Sequence, residues 1–131
     1  MTVLDTHALM WWAEESSKLS KKARQAATAA ARRRELIASA FSIFEITTLE
    51  RRGRIAFKIP VSEWLNSLRI LPELTIQPVT DEIAERAGGF GDVFPGDPAD
   101  RLIAATALVL DVPLITADTK LHSVPSLTTI W

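Results

Sequence analysis

Short apolar runs alternate along the chain with longer segments whose apolar residues recur at helical spacing. Short runs of apolar and β-branched residues between polar breaks are typical of strands buried on both faces of a parallel sheet. Segments with apolar positions three and four residues apart are typical of helices packed on such a sheet. The pattern predicts strands at residues 2–4, 36–38, 74–76, 112–116 and 127–131, and helices that start at Thr6 and span residues 20–34, 42–53, 60–71, 81–87 and 98–111.

Strands and helices that alternate in this way favour a parallel α/β sheet covered by helices on both faces. The length of 131 residues fits one domain, spanning residues 1–131, which buries enough surface to fold without cross-links. No repeat, linker or low-complexity tract divides the sequence. We therefore expect a single α/β domain.

Composition and charge exclude several classes of function. The chain has no cysteine, which excludes thiolate catalysis and cysteine-based zinc sites and gives no sign of an oxidising compartment. Its formal net charge of −1 does not favour nucleic-acid binding over the whole surface, although local basic patches are compatible with it. The N-terminus does not resemble a secretion signal, and no stretch approaches the roughly 20 apolar residues of a membrane span. We expect a soluble, cytoplasmic protein.

The helix predicted from Pro98 to about residue 111 is the most apolar in the chain, yet it begins with two carboxylates. Pro98 suits the first helical position because its φ angle is preset and it has no N–H to leave unpaired. Asp97 then stands at the N-cap and Asp100 at the third helical residue, after a loop over residues 90–96. Because residues 102–110 are apolar nearly all round, this helix is expected to pack on most sides, with its charged first turn facing a cleft.

Other acidic residues are predicted to lie at the same rim of the sheet. Asp5 and Asp118 follow predicted strands, and ligands of an open α/β sheet bind outside the carboxyl ends of its strands. Glu45 and Asp100 stand in predicted first helical turns. Each acid alone is explained more simply as a helix cap, and Ser42 with Glu45 has the spacing of a capping box. Four caps on one rim would concentrate like charge in a partly desolvated cleft, so the pattern predicts a bound cation.

Carboxylate oxygens suit hard divalent cations such as Mg²⁺ or Mn²⁺, whereas His7 and His122 are too isolated in the sequence to indicate a zinc site. A divalent ion held by carboxylates lowers the pKa of its water and neutralises charge that develops on a phosphoryl group. Phosphodiester hydrolysis requires both effects. In this hypothesis Asp5, Asp100 and Asp118 hold one or two metal ions.

The remaining candidates have supporting roles in the same hypothesis. Glu45 orients the attacking water or completes a second metal site. Thr6 and Thr116 donate hydrogen bonds to the metal ligands. Asp97 is interpreted as an N-cap in preference to a direct ligand, because its capping geometry is already sufficient.

The acidic segments, taken in this order, resemble the PIN domain, and more narrowly the VapC-type toxins of bacterial and archaeal toxin–antitoxin pairs. The resemblance covers nearly the whole chain, and no acidic position of the family pattern is lost. Carried over to this sequence, Asp5, Glu45, Asp100 and Asp118 correspond to the acidic quartet of the family. Asp5 and Asp100 are the first candidates for direct metal ligands, and Asp97 falls on an acid that is often present in this branch. The matching segments are residues 4–9, 42–46 with 53–55, 97–105 and 114–118.

The resemblance implies a three-layer α/β/α sandwich with a short, mostly parallel central sheet. It also implies a Mg²⁺- or Mn²⁺-dependent endoribonuclease that cuts structured RNA and is held inactive by a cognate antitoxin. Family members usually form homodimers, and the antitoxin commonly wraps the toxin and can direct a basic side chain toward the acidic site. Basic residues after the Glu45 helix either contact RNA phosphates or form a solvated helix end: Arg51, Arg52, Arg54 and Lys58.

Two alternatives from other classes stay open on the sequence. One is phosphoryl transfer through Asp5, but the haloacid-dehalogenase-like phosphatase pattern needs a second aspartate where this chain has His7. The other is a non-catalytic module that binds RNA or an antitoxin and whose acids only receive arginines from the partner. Against autonomous RNA binding, the sequence lacks aromatic residues interleaved with basic ones.

Overall fold

One parallel sheet forms the centre of the computed structural model, which describes residues 1–92, 94 and 96–131. Val93 and Pro95 belong to the predicted loop over residues 90–96 and lie outside the described residues. Every strand pairing is parallel, in the order β3-β2-β1-β4-β5, which confirms the predicted α/β class. The strands of the described part are β1 (Thr2–Leu4), β2 (Leu36–Ser39), β3 (Leu74–Gln77), β4 (Leu114–Ile115) and β5 (Thr129–Ile130).

Helices cover both faces of this sheet, as the alternating pattern predicts. In the residues that the structure describes, no helix is long and apolar enough to cross a membrane. The helix α7 was not predicted, because it is a single turn between β4 and β5. The helices are α1 (Thr6–Ala13), α2 (Lys21–Arg32), α3 (Ala40–Arg51), α4 (Val61–Arg69), α5 (Asp81–Gly88), α6 (Pro98–Leu110) and α7 (Thr119–His122).

The buried side chains of β1, β2 and β4 alternate between two apolar layers. Leu4 of β1 joins the layer formed with α1, α2, α3 and α4, and its neighbour Val3 joins the layer formed with α6 and α7. In the same way Ile115 faces the first layer and Leu114 the second. This alternation follows from the two-residue period of a strand, and it explains why apolar runs without polar gaps form the sheet.

Small residues allow α6 to pack closely on the sheet. Ala104 and Ala107 are fully buried in one cluster with Val3, Ile37 and Leu114. Close packing against branched side chains leaves no room for larger residues at the two alanines. The helix begins as the sequence predicts, with Asp97 as N-cap and Pro98 in its first turn.

The start of α3 differs from the prediction. We expected this helix to begin at Ser42, but it begins at Ala40, and the hydroxyl of Ser39 accepts the N-cap hydrogen bond from the Phe41 N–H at 3.1 Å. Ser42 instead lies inside the helix and is fully buried. Glu45 therefore stands in the second turn, where the capping-box explanation of this residue no longer holds.

The order of strands creates the crevice in which ligands of such sheets bind. β1 is central, and the chain leaves it toward β2 on one side while β4 pairs on the other. At such a switch point the loops beyond the carboxyl ends of neighbouring strands diverge and leave a cleft. Asp5 directly follows β1 and Asp118 lies three residues beyond the end of β4, so both stand at this crevice.

Enlarging Ala104 should destabilise the fold. We expect Ala104→Leu to lower the free energy of unfolding by about 1–3 kcal/mol, because it overpacks a filled interface between α6 and the sheet. Urea unfolding followed by circular dichroism measures the change. The matched control is Ala29→Leu on the exposed face of α2, which should stay within about 0.5 kcal/mol of the wild type. Equal effects of the two substitutions would contradict the packing described here.

Candidate active site

An acidic cleft of about 380 Å³ lies at the carboxyl ends of β1 and β4. It contains all four acids of the predicted quartet, together with Asp97. The arrangement therefore brings together residues from both ends of the chain. The acidic lining residues are Asp5, Glu45, Asp97, Asp100 and Asp118, and the rest of the wall is formed by Thr6, His7, Trp11, Ile103, Ala117 and Lys120.

Three of the aspartates cap helices whose first turns surround the cleft. In each case one carboxylate oxygen accepts a hydrogen bond from a backbone N–H of the first turn. A carboxylate has two oxygens and about four acceptor positions, so capping does not exhaust it. The hydrogen bonds are from Ala8 to Oδ1 of Asp5 (2.8 Å), from Ala99 to Oδ1 of Asp97 (2.9 Å) and from Lys120 to Oδ1 of Asp118 (3.0 Å).

Asp100 and Glu45 enter the cleft from two helices that pack on each other. Asp100 lies in the first turn of α6, as predicted, and Glu45 lies in the second turn of α3. Contact between α3 and α6 sets the distance between the two side chains. The prediction that both acids stand in first turns is therefore correct only for Asp100.

Buried hydroxyl groups form hydrogen bonds next to the acidic residues of the cleft. The hydroxyls of Thr6 and Ser42 form a hydrogen bond of 2.9 Å that joins α1 to α3. Thr116 is fully buried and its hydroxyl accepts the Asp118 N–H at 3.0 Å, while its side chain also hydrogen-bonds Asp5. Thr116 thus contacts two of the predicted metal ligands, whereas the Thr6 hydroxyl, predicted to bond a metal ligand, hydrogen-bonds Ser42 instead.

The pKa of Asp5 is raised above its ordinary value, chiefly because burial removes water from the carboxylate. Hydrogen bonds from Thr116 and Ala8 and the nearby His7 lower this pKa, whereas the charge of Asp118 raises it further. The net effect is a carboxylate whose negative charge is only partly compensated by the protein. A cation at this position would restore the balance.

The pKa of Asp100 is raised from 3.8 to about 6. Burial is the largest cause, followed by the charges of Asp97 and Asp118, with a smaller contribution from Glu45. Lys120 opposes the shift. Three acids therefore repel the charge of Asp100, and this repulsion is the electrostatic property that distinguishes the cleft.

The donor set of the cleft fits a hard divalent cation such as Mg²⁺ or Mn²⁺ better than zinc or copper, because its anionic groups are carboxylates. Among the residues that the structure describes, no three His, Cys, Asp or Glu side chains are already arranged to hold one metal ion. Mg²⁺ requires no such cage, since it is commonly held by one or two carboxylates with water and substrate phosphate. That Asp5, Asp100 and Asp118 hold the metal together stays a prediction.

Sequence reasoning missed two contributors to the cleft. Lys120 is a cation in its wall, and its position two residues after Asp118 was the available signal. Ser42 was interpreted as a cap, although its buried hydroxyl joins two helices. His7 lines the cleft and its ring lies 5.7 Å from that of Trp11, whereas His122 hydrogen-bonds the carbonyl of Thr116 at 2.8 Å.

Two comparisons with known proteins, by family model and by sequence identity, give results that agree with each other. The PIN domain family model matches residues 2–127. The chain is 39% identical to Ribonuclease VapC22 of Mycobacterium tuberculosis (strain ATCC 25618 / H37Rv), with 98% of this chain and 97% of that protein covered.

Solved structures share the fold at lower sequence identity. A toxin–antitoxin complex from Klebsiella pneumoniae contains a chain with a TM-score of 0.66 and 19% identity, covering 98% of this chain and 97% of that one. DNA-bound VapBC from Salmonella typhimurium contains a chain with a TM-score of 0.67 and 14% identity, covering 98% and 95%. At these identities the likeness concerns the fold alone.

Neutralising Asp100 should stabilise the metal-free protein above about pH 6. When the pKa of a carboxyl group is higher in the folded than in the unfolded state, the free energy of unfolding falls as pH rises from about 4 through 6. The reason is that the folded state must give up a proton that it binds more tightly than the unfolded state does. Asp100→Asn removes this effect and still fits an N-terminal helical turn. One pKa unit corresponds to about 1.4 kcal/mol, and partial exposure screens the repulsion, so we expect a relative gain of about 1–2 kcal/mol.

The measurement is urea unfolding of both proteins in a chelating buffer at pH 4 and pH 7.5. The difference between variant and wild type should grow with pH. Asp81→Asn, at the exposed start of α5, is the matched control and should show no such growth. A difference that is equal at the two pH values would show that Asp100 is not repelled in the folded state.

Proposed function

Because this chain belongs to the PIN domain family, we propose that it is a divalent-metal-dependent endoribonuclease and the toxin of a toxin–antitoxin pair. The observation that carries the proposal is the convergence of five acidic side chains in one cleft, two of them with raised pKa values. Its relative VapC22 is named a ribonuclease. The proposed reaction is hydrolysis of an RNA phosphodiester bond, in which water adds to phosphorus and one P–O bond breaks.

We assign the metal to Asp5, Asp100 and Asp118, with Mg²⁺ or Mn²⁺ as the ion. Asp5 and Asp118 extend from the ends of neighbouring strands, and Asp100 faces them from the start of α6. When bound, such an ion lowers the pKa of water and neutralises charge that develops on the phosphoryl group. The capping bonds of Asp5 and Asp118 fix their carboxylates before any ion arrives, which reduces the entropy lost on binding.

Glu45 is assigned to the attacking water. Its position in the second turn of α3 leaves it without a capping role, and it lines the same cleft as the capping aspartates. A carboxylate there can accept a hydrogen bond from water and orient it toward the phosphorus. The Thr6–Ser42 hydrogen bond fixes α3 relative to α1, so it positions Glu45 relative to Asp5.

The same cleft offers a direct mode of inhibition. A basic side chain of a cognate antitoxin would be attracted by the five acidic residues of the cleft. Bound there, it would exclude the metal and the RNA phosphate. We infer that the antitoxin inhibits in this way. Since cellular RNA and newly made antitoxin are found in the cytoplasm, the proposal places the protein there.

The expected homodimer stays a prediction. Phe44 next to Glu45 on α3 is 62% exposed, and its ring lies 5.2 Å from that of Phe41. Phe41 is itself half-buried, so the exposed apolar surface here is chiefly the Phe44 ring, of a kind that a partner can cover. This observation supports association of the chain, but it does not distinguish a second copy from an antitoxin.

Phosphoryl transfer through Asp5 is less consistent with the structure. The carboxylate of Asp5 is partly buried, and one of its oxygens already accepts the capping hydrogen bond of α1, so it is poorly exposed for attack on a phosphoryl group. His7, at the position where that chemistry needs a second aspartate, has an exposed side chain. The non-catalytic binding module differs from the proposal only in activity, so cleavage decides between them.

Asp5→Asn should abolish metal-dependent cleavage and leave the fold intact. Asparagine caps a helix as well as aspartate does, so the hydrogen bond from Ala8 is kept while the charge that would hold the metal is lost. We expect cleavage of total cellular RNA by partner-free protein to fall at least a hundredfold. Chelation of the divalent metal in the wild type should have the same effect.

Asp81→Asn, outside the cleft, is the control and should cleave like the wild type. Full activity of Asp5→Asn or of the chelated enzyme would refute the proposed site. Folded, metal-loaded wild type that cuts no RNA would favour the binding module.

Divalent metal should stabilise the protein through the same carboxylates. A ligand that binds only the folded state stabilises it by about 2.7 kcal/mol at one hundred times its dissociation constant. Thermal unfolding should therefore shift upward by several degrees with Mg²⁺ or Mn²⁺. We expect Asp5→Asn to lose most of this shift and Asp81→Asn to keep it. An equal shift in all three proteins would place the metal elsewhere.

A further inference from the structure

A second cavity, of about 460 Å³, adjoins the acidic cleft. It lies between the end of α5, the later part of α6 and the segment that follows α7. Lys120 lines both this cavity and the acidic cleft, so the two are neighbours that share a wall. We call it the Phe90 cavity; its described lining residues are Arg86, Phe90, Gly91, Phe94, Leu108, Lys120, Ser123, Val124, Pro125 and Ser126.

The charge of the Phe90 cavity is opposite to that of the cleft. Arg86 and Lys120 line it, and none of its described lining residues is acidic. The larger groove of about 670 Å³ between α1, α2 and α4 contains Glu15 and Glu73 beside its single arginine. Arg86 also borders a shallower depression, but there it stands with two glutamates. An anion entering from the cleft would therefore find its favourable contacts in the Phe90 cavity.

The wall of the Phe90 cavity combines aromatic rings with hydroxyl groups. The rings of Phe90 and Phe94 stack on each other, with centroids 4.2 Å apart and planes inclined by 7°. Ser123 and Ser126 add hydroxyls that can donate or accept hydrogen bonds. Aromatic rings, hydrogen-bonding groups and a cation are the three elements by which proteins hold an unpaired nucleotide.

Arg101 holds the aromatic wall in place. Its guanidinium donates hydrogen bonds to the carbonyls of Ala87 at 3.2 Å, Phe90 at 3.0 Å and Gly91 at 3.1 Å. It also lies 5.6 Å from the centre of the Phe94 ring. Because Arg101 follows Asp100 in α6, the aromatic wall and the proposed metal site are fixed to the same helical turn. The cavity is thus organised before a ligand binds.

We propose that the Phe90 cavity binds one nucleotide of the RNA next to the phosphate that is cut. The base contacts the Phe90 and Phe94 rings, and an adjoining phosphate contacts Lys120, which separates this cavity from the cleft. The volume lies within the range of small-ligand pockets and accommodates a nucleotide. The inference rests on the proposed function for the identity of the substrate, and it adds a base subsite to the reaction.

Binding of a single-stranded, fluorescently labelled RNA tests the cationic part. It is measured in the Asp5→Asn background, where the RNA is not cut. We expect Lys120→Met and Arg86→Gln each to weaken binding about tenfold and to reduce the salt dependence by about one phosphate contact. Lys22→Met and Arg32→Gln on the exposed side of α2 are the charge-matched controls and should stay within twofold. Equal losses in variants and controls would overturn the inference.

A series of RNAs, each with one abasic position, tests the aromatic part. With an intact Phe90 cavity, affinity should fall about tenfold when the missing base is the one that the cavity takes, and little at other positions. Phe90→Leu keeps the apolar volume but loses the ring face, so its affinity should no longer depend on that base. Phe57→Leu, whose ring pairs with Trp64 in the other core layer, is the control and should behave like the parent.

The outcomes separate this inference from the proposed function. If Arg86→Gln and Phe90→Leu cleave RNA at the wild-type rate, the subsite is overturned and the proposed nuclease activity stands. RNA binding that depends on these residues, without cleavage by any preparation, would support the subsite and refute the nuclease. Variants that keep RNA affinity but lose the complex with the antitoxin would overturn the inference in favour of a protein-docking surface.

Discussion

Repulsion among the carboxylates of the acidic cleft is the constraint on which the rest of the structure depends. Burial and neighbouring acids raise the pKa of Asp100 to about 6, and burial also raises that of Asp5. A protein gains nothing in folding stability from such a cluster, because each charge opposes the next. Helix dipoles, backbone N–H groups and Lys120 offset part of the repulsion, and in the proposed function a bound cation relieves the rest.

Helix capping and ligand binding are therefore complementary roles for these aspartates. Asp5, Asp97 and Asp118 each use one oxygen to complete a helix, and each still faces the cleft. The capping bond fixes the direction of the carboxylate, which a metal site requires. Sequence reasoning treated the cap as the simpler alternative to a ligand, but the geometry permits both in one residue. Asp100 and Glu45 are not N-caps: Asp100 stands in the first turn of α6, and Glu45 stands one turn further into its helix, α3. The assignment of Glu45 to water follows from that position.

Much of this arrangement could be predicted from the sequence because it depends on local rules. The unbroken apolar strands, the Asp97-Pro98 start of α6 and the acids after β1 and β4 are all encoded within a few residues. The prediction that α3 starts at Ser42 was wrong because, judged from the local sequence, Ser39 and Ser42 are equally good N-caps. A tertiary contact with Thr6 decides between them. The Phe90 cavity was missed for the same reason, since its residues are far apart in the sequence.

The charge of the cleft also couples its ligands to one another. A divalent metal and a basic antitoxin side chain would both bind the same uncompensated acids. Because they would occupy the same position, the binding of one would exclude the other. Linkage then requires that the antitoxin weaken metal binding by the factor by which metal weakens antitoxin binding. The cation site and the site of inhibition would be one electrostatic feature. An inhibitor of this kind needs no conformational change in the enzyme, because supplying the missing positive charge is sufficient.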